Sequence, residues 1–281
     1  MRSKRDLNTK MRFLQMMRKG NQPLKLDHFQ YDSFFISDLH FIPEASHYGH
    51  NNQKSLFALL KNLKEQGFRF DRVFIVGDGF ENWFVSSENE LLANPGAYHE
   101  LLKSLENISK QRFYIIGNHC TRSLLMVLPR TVKLYLKKRG WKVLKKYKDD
   151  KIFVVHGHQA QYGWLQWAVL IQLAYLLYSI LRWIPGGLKL YEKFVLSTID
   201  YDKTASENEH IQYQMKLMGR INRGNRWLIS GHTHRPVHFK KLRIVNTGDW
   251  SINKTFATQK GLDFKLWEYD EDKGVRLISP I

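Results

Sequence analysis

A single cysteine, Cys120, stands among 281 residues, so no intramolecular disulfide framework defines the fold, which is compatible with a reducing compartment. Acidic residues are scarce beside basic ones. The 26 Asp and Glu against 44 Lys and Arg leave a formal charge of +18, a field that attracts nucleic acids, nucleotides and anionic membranes alike. The uninterrupted apolar stretch of a secretory signal is missing from the basic amino terminus (Arg2, Lys4, Arg5, Lys10, Arg12, Arg18, Lys19), and export is not expected. Phe13, Leu14, Met16 and Met17 between those cations suit either a solvated tail or a segment lying on an anionic membrane. What the chain does have is an ordinary apolar fraction of 43%, enough for a core, and twelve histidines.

Short apolar runs end abruptly in polar residues at Ser33 to Ser37, Arg72 to Val76, Arg112 to Ile116, Ile152 to Val155 and Trp227 to Ser230. Each reads as a buried strand with Asp, Asn or His just past its carboxyl end, where open α/β sheets place their sites. Helices are expected at Gln53 to Glu65 and Ala97 to Ser109, and further strands at Leu242 to Asn246, Leu262 to Tyr269 and Val275 to Ile278. Residues 1–30 read as a basic extension and 31–281 as one domain, with a helical insertion over 160–226.

Within the insertion, Trp164 to Ile184 is apolar for about the length of a bilayer crossing. A single crossing would put His156 and His232 on opposite sides of the membrane, so it conflicts with a shared site. A stripe of Gln161, Ala168, Gln172, Tyr175, Ser179 and Arg182 on a helical projection leaves the rest of the circumference apolar. This predicts a helix buried over most of its surface, serving as a lid, a pocket wall, an interfacial element or a core helix.

The chemistry-bearing residues are Asp38-Leu39-His40, Gly77-Asp78, Gly117-Asn118-His119, His156-Gly157-His158 and Gly231-His232-Thr233-His234. Imidazole and carboxylate ligands without thiolate favour Mn, Fe or Zn. A carboxylate shared between two ions suits Asp78, and the adjacent glycines allow sharp turns close to them.

This ordered set resembles the calcineurin-like metallophosphoesterase superfamily, with its D-x-H, G-D, G-N-H, H and G-H-x-H succession, from Phe34 to Pro236. The resemblance implies a four-layer α/β/β/α sandwich with two divalent ions, Mn foremost with Fe or Zn as alternatives. Asp38, His40, Asp78 and His234 match the positions holding one ion; Asp78, Asn118, His156 and His232 match those holding the other. His119 matches the residue that protonates the leaving oxygen in general phosphatases, and Cys120 stands where those enzymes carry the acid that holds it.

Gly77-Asp78-Gly79-Phe80-Glu81-Asn82-Trp83, Gly231 to Pro236 and Gly248-Asp249-Trp250 are similar to motifs of UDP-2,3-diacylglucosamine hydrolases. Those enzymes typically carry Arg at the position of His119. The resemblance implies cleavage of the pyrophosphate of an acylated nucleotide sugar in lipid A synthesis, by a cytoplasmic protein peripherally bound to the inner membrane. A nuclease or broader phosphodiesterase or phosphatase is the alternative enzyme reading, since basic patches such as Lys133, Lys137, Lys138, Arg139, Lys142, Lys145, Lys146 and Lys148 also suit nucleic acid. A metal-binding scaffold without activity is the third.

Overall fold

The computed structural model describes residues 30–41, 53–81, 96–121, 128–160, 176–187, 189–191, 207–221 and 224–281, with Val169 and Leu173. Residues 1–29 of the expected basic extension, and much of the 160–226 insertion, lie outside the described residues.

Seven strands form the first sheet: β1 (Gln30–Ile36), β2 (Arg69–Val76), β3 (Ser109–Ile115), β4 (Trp141–Leu144), β10 (Thr255–Lys260), β11 (Asp263–Asp270) and β12 (Gly274–Ile278). Their order is β12-β11-β10-β1-β2-β3-β4, parallel from β1 to β4 and antiparallel from β1 outward to β12. The second sheet runs β5-β6-β7-β9-β8, from β5 (Lys146–Lys148), β6 (Ile152–Val155), β7 (Trp227–Ser230), β8 (Val237–Phe239) and β9 (Ile244–Asn246).

Period-two alternation sorts the side chains of these strands into layers. Phe34 and Ile36 of β1 and Val73 and Ile75 of β2 face helices α1 (Gln53–Glu65), α2 (Gly96–Asn107) and α3 (Arg130–Lys138). Phe35, Phe74, Val76, Phe113 and Ile115 face the second sheet and meet Ile152, Val154, Trp227 and Ile229. Phe74 stacks between Phe35 and Phe113, with ring centroids 4.9 and 4.7 Å away. On the far side of the second sheet, Phe153, Val155 and Leu228 pack with Leu217 of α4 (Glu207–Arg220). Each fully buried aromatic or branched side chain contributes roughly 1.5–3 kcal/mol. The layers are therefore helices, sheet, sheet, helix, the expected four-layer α/β/β/α sandwich.

Local signals explain the elements. Leu56, Leu59, Leu60 and Leu63 give α1 one buried face. Its end is closed by Gly67 at φ +77°, with Phe68 N donating to Leu63 O at 2.9 Å and Gly67 N to Lys64 O at 3.0 Å, the paired bonds of a glycine-terminated helix.

The carboxyl-terminal strands divide between the sheets: β9 joins the second, while β11 and β12 extend the first. The lysine-rich stretch before His156 is α3 followed by the short edge strands β4 and β5. Exposed lysines on such edges discourage pairing with other chains. Among the described residues no helix is long and apolar enough to cross a membrane.

The insertion helix differs from expectation. Tyr178 and Leu181 are buried, but Val169, Leu173, Leu176, Ile180 and Ile184 form an exposed apolar stripe at helical spacing, with Trp183 77% exposed beside it. Among the described residues of this segment, the exposed large apolar side chains therefore outnumber the buried ones.

Candidate metal centre

Every expected site residue among the described ones lies at one end of the sandwich. Asp38 and His40 follow β1, Asp78 follows β2, and Asn118 and His119 follow β3; His156 follows β6, and His232 and His234 follow β7. Parallel strands aim these carboxyl ends the same way. The loops are stitched together by Asp38 N to Gly77 O (3.1 Å), His40 N to Asp78 O (2.9 Å) and Gly231 N to His156 O (2.8 Å). Ser37 Oγ joins the two sheets by bonding Thr247 Oγ1 at 2.7 Å and Gly248 O at 2.8 Å.

Three three-residue groups are close enough to hold a cation: Asp38, His40 and His234; Asp78, His156 and His232; and His40, Glu81 and His119. Within each of the first two, one carboxylate oxygen is anchored and the other is not. His232 N donates to Asp38 Oδ2 at 3.0 Å, and His119 N donates to Asp78 Oδ1 at 2.8 Å. Asp38 Oδ1 and Asp78 Oδ2 remain buried without an aligned donor, beside His234 Nε2 at 3.3 Å and His156 Nε2 at 2.9 Å. A buried charge left so is expensive unless a counter-charge arrives. His156 Nδ1 lies 2.9 Å from the carbonyl oxygen of Val76, which only accepts, so this nitrogen carries the proton and Nε2 turns toward Asp78 and Asn118 Oδ1 (3.0 Å). The donor set thus fits a pair of divalent cations.

Electrostatics agree. Burial opposes a charged ring at His156, but Asp78 and Asp38 prevail and raise its pKa to about 9. His234 rises to about 9 against burial through Asp38 and Asp249. Burial would raise the pKa of Asp38, yet His156 and His234 lower it to about 2. Protons thus gather where cations would sit.

Close approach demands glycine at two positions. A Cβ on Gly77, at φ +89°, would lie 2.1 Å from His156 Nδ1, and one on Gly117 would lie 2.1 Å from Asp78 Oδ1. The ligands themselves are backbone exceptions. Asp38, His40, Asp78, His232 and His234 have φ between +43° and +72°, in the left-handed region that L residues seldom occupy.

Two residues with site roles were not assigned from sequence. Glu81, fully buried, places Oε2 2.8 Å from both His40 Nδ1 and His119 Nδ1. It supplies the carboxylate that Cys120 cannot, and it outweighs burial to hold the His119 pKa above its ordinary value. Its signal was its place in the Gly-Asp-Gly-Phe-Glu run. Asp249 accepts from Ser251 Oγ (2.6 Å) and Asn253 Nδ2 (2.5 Å), and Asn253 Nδ2 also reaches His234 O at 2.7 Å, fixing the loop behind His234. Cys120 lies buried under Asp78, its Sγ 3.0 Å from Tyr114 Oη; burial and Asp78 push its thiol up to about 12. His158 is buried beside His156 and His232, with ring centroids 5.5 and 6.1 Å away. Asn82 and Trp83 lie outside the described residues.

Comparison with known proteins places this geometry. The family model described as calcineurin-like phosphoesterase matches residues 34–236. A UDP-2,3-diacylglucosamine hydrolase of Histophilus somni is 25% identical over 240 residues, covering 78% of this chain and 92% of that one. One of Psychromonas ingrahamii is 25% identical over 276 residues, covering 89% and 98%. Among solved structures, a Pseudomonas putida nuclease is 14% identical, with coverage of 88% and 87% and a TM-score of 0.37.

Proposed function

The chain belongs to the calcineurin-like phosphoesterase family and is a metal-dependent phosphoester hydrolase; from that premise we propose that it cleaves the pyrophosphate of UDP-2,3-diacylglucosamine or a related acylated nucleotide sugar. The observation that carries this substrate class is the exposed apolar stripe from Val169 to Ile184, in the segment joining His156 to His232. Such an uncovered apolar surface suits acyl chains, and Arg182, 4.8 Å over the Trp183 ring, with exposed Lys189, borders it with cations. The relatives named for that substrate span most of this chain.

In this reading Asp38, His40, Asp78 and His234 hold one divalent ion, Mn foremost, and Asp78, Asn118, His156 and His232 hold the other. The chemistry such a pair supplies when bound is Lewis acidity toward phosphoryl oxygen and acidification of the attacking water. Asp78, tied to the backbone through Oδ1, presents Oδ2 toward the shared centre. His119 stands over the same cluster, its ring 4.8 Å from that of His40, and donates a proton to the departing oxygen. The stripe seats the substrate's acyl chains at the surface of an anionic bilayer, giving a cytoplasmic protein held peripherally on the inner membrane.

The His119–Glu81 contact favours a second reading: a phosphodiesterase or phosphatase whose alkoxide leaving group needs a proton more than a phosphate leaving group does. Rates of the Mn-loaded protein with UDP-diacylglucosamine, an unacylated UDP-sugar, an alkyl phosphodiester and single-stranded DNA separate the two. Fastest turnover of the acylated substrate is expected; preference for any of the other three overturns the lipid assignment.

A further inference from the structure

Resting on the hydrolase reading above, we propose that Glu81 is the positioning residue of this site: one buried carboxylate that sets the ring orientation of the proton donor His119 and of the ligand candidate His40 together. The argument begins with what a carboxylate can do. It only accepts hydrogen bonds, so a ring nitrogen 2.8 Å from it must carry the hydrogen. Both Nδ1 atoms are therefore protonated, and both Nε2 atoms turn away from Glu81.

For His40 this leaves an Nε2 lone pair aimed toward His234 Nε2, 3.2 Å away, as ligation requires. For His119 it makes Nε2 the atom that holds and releases the transferable proton. As the phosphorus–oxygen bond breaks, that proton passes to the leaving oxygen, Nε2 keeps the electron pair, and the Nδ1 hydrogen stays on its bond to Glu81. Glu81 itself is anchored at Phe41, through its backbone N–H to Phe41 O at 3.2 Å, and is 1% exposed. The position after His119, Cys120, faces Tyr114 and Asp78 and contributes no carboxylate.

Nitrogen-detected imidazole NMR of the metal-free protein tests the first half directly. His40 and His119 are both expected to carry the Nδ1 hydrogen, and Glu81→Gln is expected to change the tautomer balance of His119. A wild-type His119 found with hydrogen on Nε2 alone overturns the proposal.

Kinetics test the second half, on a phosphodiester with a p-nitrophenolate leaving group, which departs unaided, and on one with an alkoxide. Glu81→Gln is expected to lose roughly 10²-fold on the alkoxide ester and less than about threefold on the nitrophenyl ester, with no further loss when combined with His119→Ala. Equal losses on both esters at saturating Mn, or losses that multiply in the double variant, sink the His119 half of the proposal; a Glu81→Gln protein that holds its ions as tightly as wild type sinks the His40 half, since loss of such an orienting partner costs roughly 10–100-fold in metal affinity. A wild-type protein silent on both esters and on the acylated nucleotide sugar defeats the hydrolase reading instead, and the NMR result then decides Glu81 alone.

Discussion

The Nε2 atoms of His40 and His234 lie 3.2 Å apart across 194 residues of chain, and His234 Nε2 is also 3.3 Å from Asp38 Oδ1. His40 Nδ1 is committed to Glu81, and His234 Nδ1 faces Asp249 Oδ2 at 3.9 Å. Two imidazoles so arranged beside Asp38 could hold a cation. His234→Ala is expected to bring bound metal below two ions per chain and to reduce turnover by more than the roughly 10–100-fold that loss of an outer partner costs. Elemental analysis of the desalted protein, alongside rate measurement, checks this; two retained ions would contradict the assignment.

Gly77 offers a test of the scaffold. Its φ of +89° disfavours any side chain by about 1–2 kcal/mol, and a Cβ would overlap His156 Nδ1 at 2.1 Å. Gly77→Ala is therefore expected to lower the unfolding midpoint and displace His156. Denaturant titration and metal content should fall together, and a variant with wild-type stability would show the loop to be more yielding than this geometry allows.

His210 predicts an acid sensitivity. Burial, then Arg235, hold its pKa at about 4, below the ordinary 6.5. The unfolded chain binds a proton there that the folded chain refuses, so stability is lost as pH falls from about 6.5 toward 4, by up to roughly 3 kcal/mol. Since Nε2 of His210 has no hydrogen-bond partner among the described residues, His210→Leu sacrifices no bond to them at that atom. Urea unfolding with chelator present is expected to show the variant close to wild type at pH 8 and more stable at pH 5. Parallel pH profiles would refute the attribution.

The apolar stripe predicts a separation of substrates. Full burial of a large apolar side chain is worth about 1.5–3 kcal/mol, so replacing Leu173, Trp183 and Ile184 by Gln should weaken sedimentation with anionic vesicles by at least about tenfold. Turnover of an unacylated phosphodiester should be unchanged. If vesicle binding survives the triple change, the basic surface and not the stripe carries the membrane contact.

Much of this architecture was legible in the sequence because the central strands end in short apolar runs punctuated by ligand-type residues. Ile152–Val155 and Trp227–Ser230 match the expected runs end to end, as does α1. The edges were less legible. Strands β4, β5 and β8 are three or four residues long, and lysines on β4 and β5 hide the alternation that would mark them. The ligand candidates lie at one end of the sandwich since each follows a strand of one of two facing sheets. Glu81 escaped assignment because it follows a loop, where no periodicity points a side chain, and its partners His40 and His119 lie 41 and 38 residues away. The exposed flank of the insertion helix could not be read from its composition, which is apolar on the covered and uncovered sides alike.

The left-handed backbone at Asp38, His40, Asp78, His232 and His234 bears on how the molecule assembles. Each such residue costs about 1–3 kcal/mol, and the price falls on one end of the sandwich while the layers beneath gain their packing without it. Ion capture releases free energy only once these loops are in place, so it acts as a latch that closes last. Without it, amide exchange should quicken first in the loops after β1, β2 and β7, leaving the strands themselves protected.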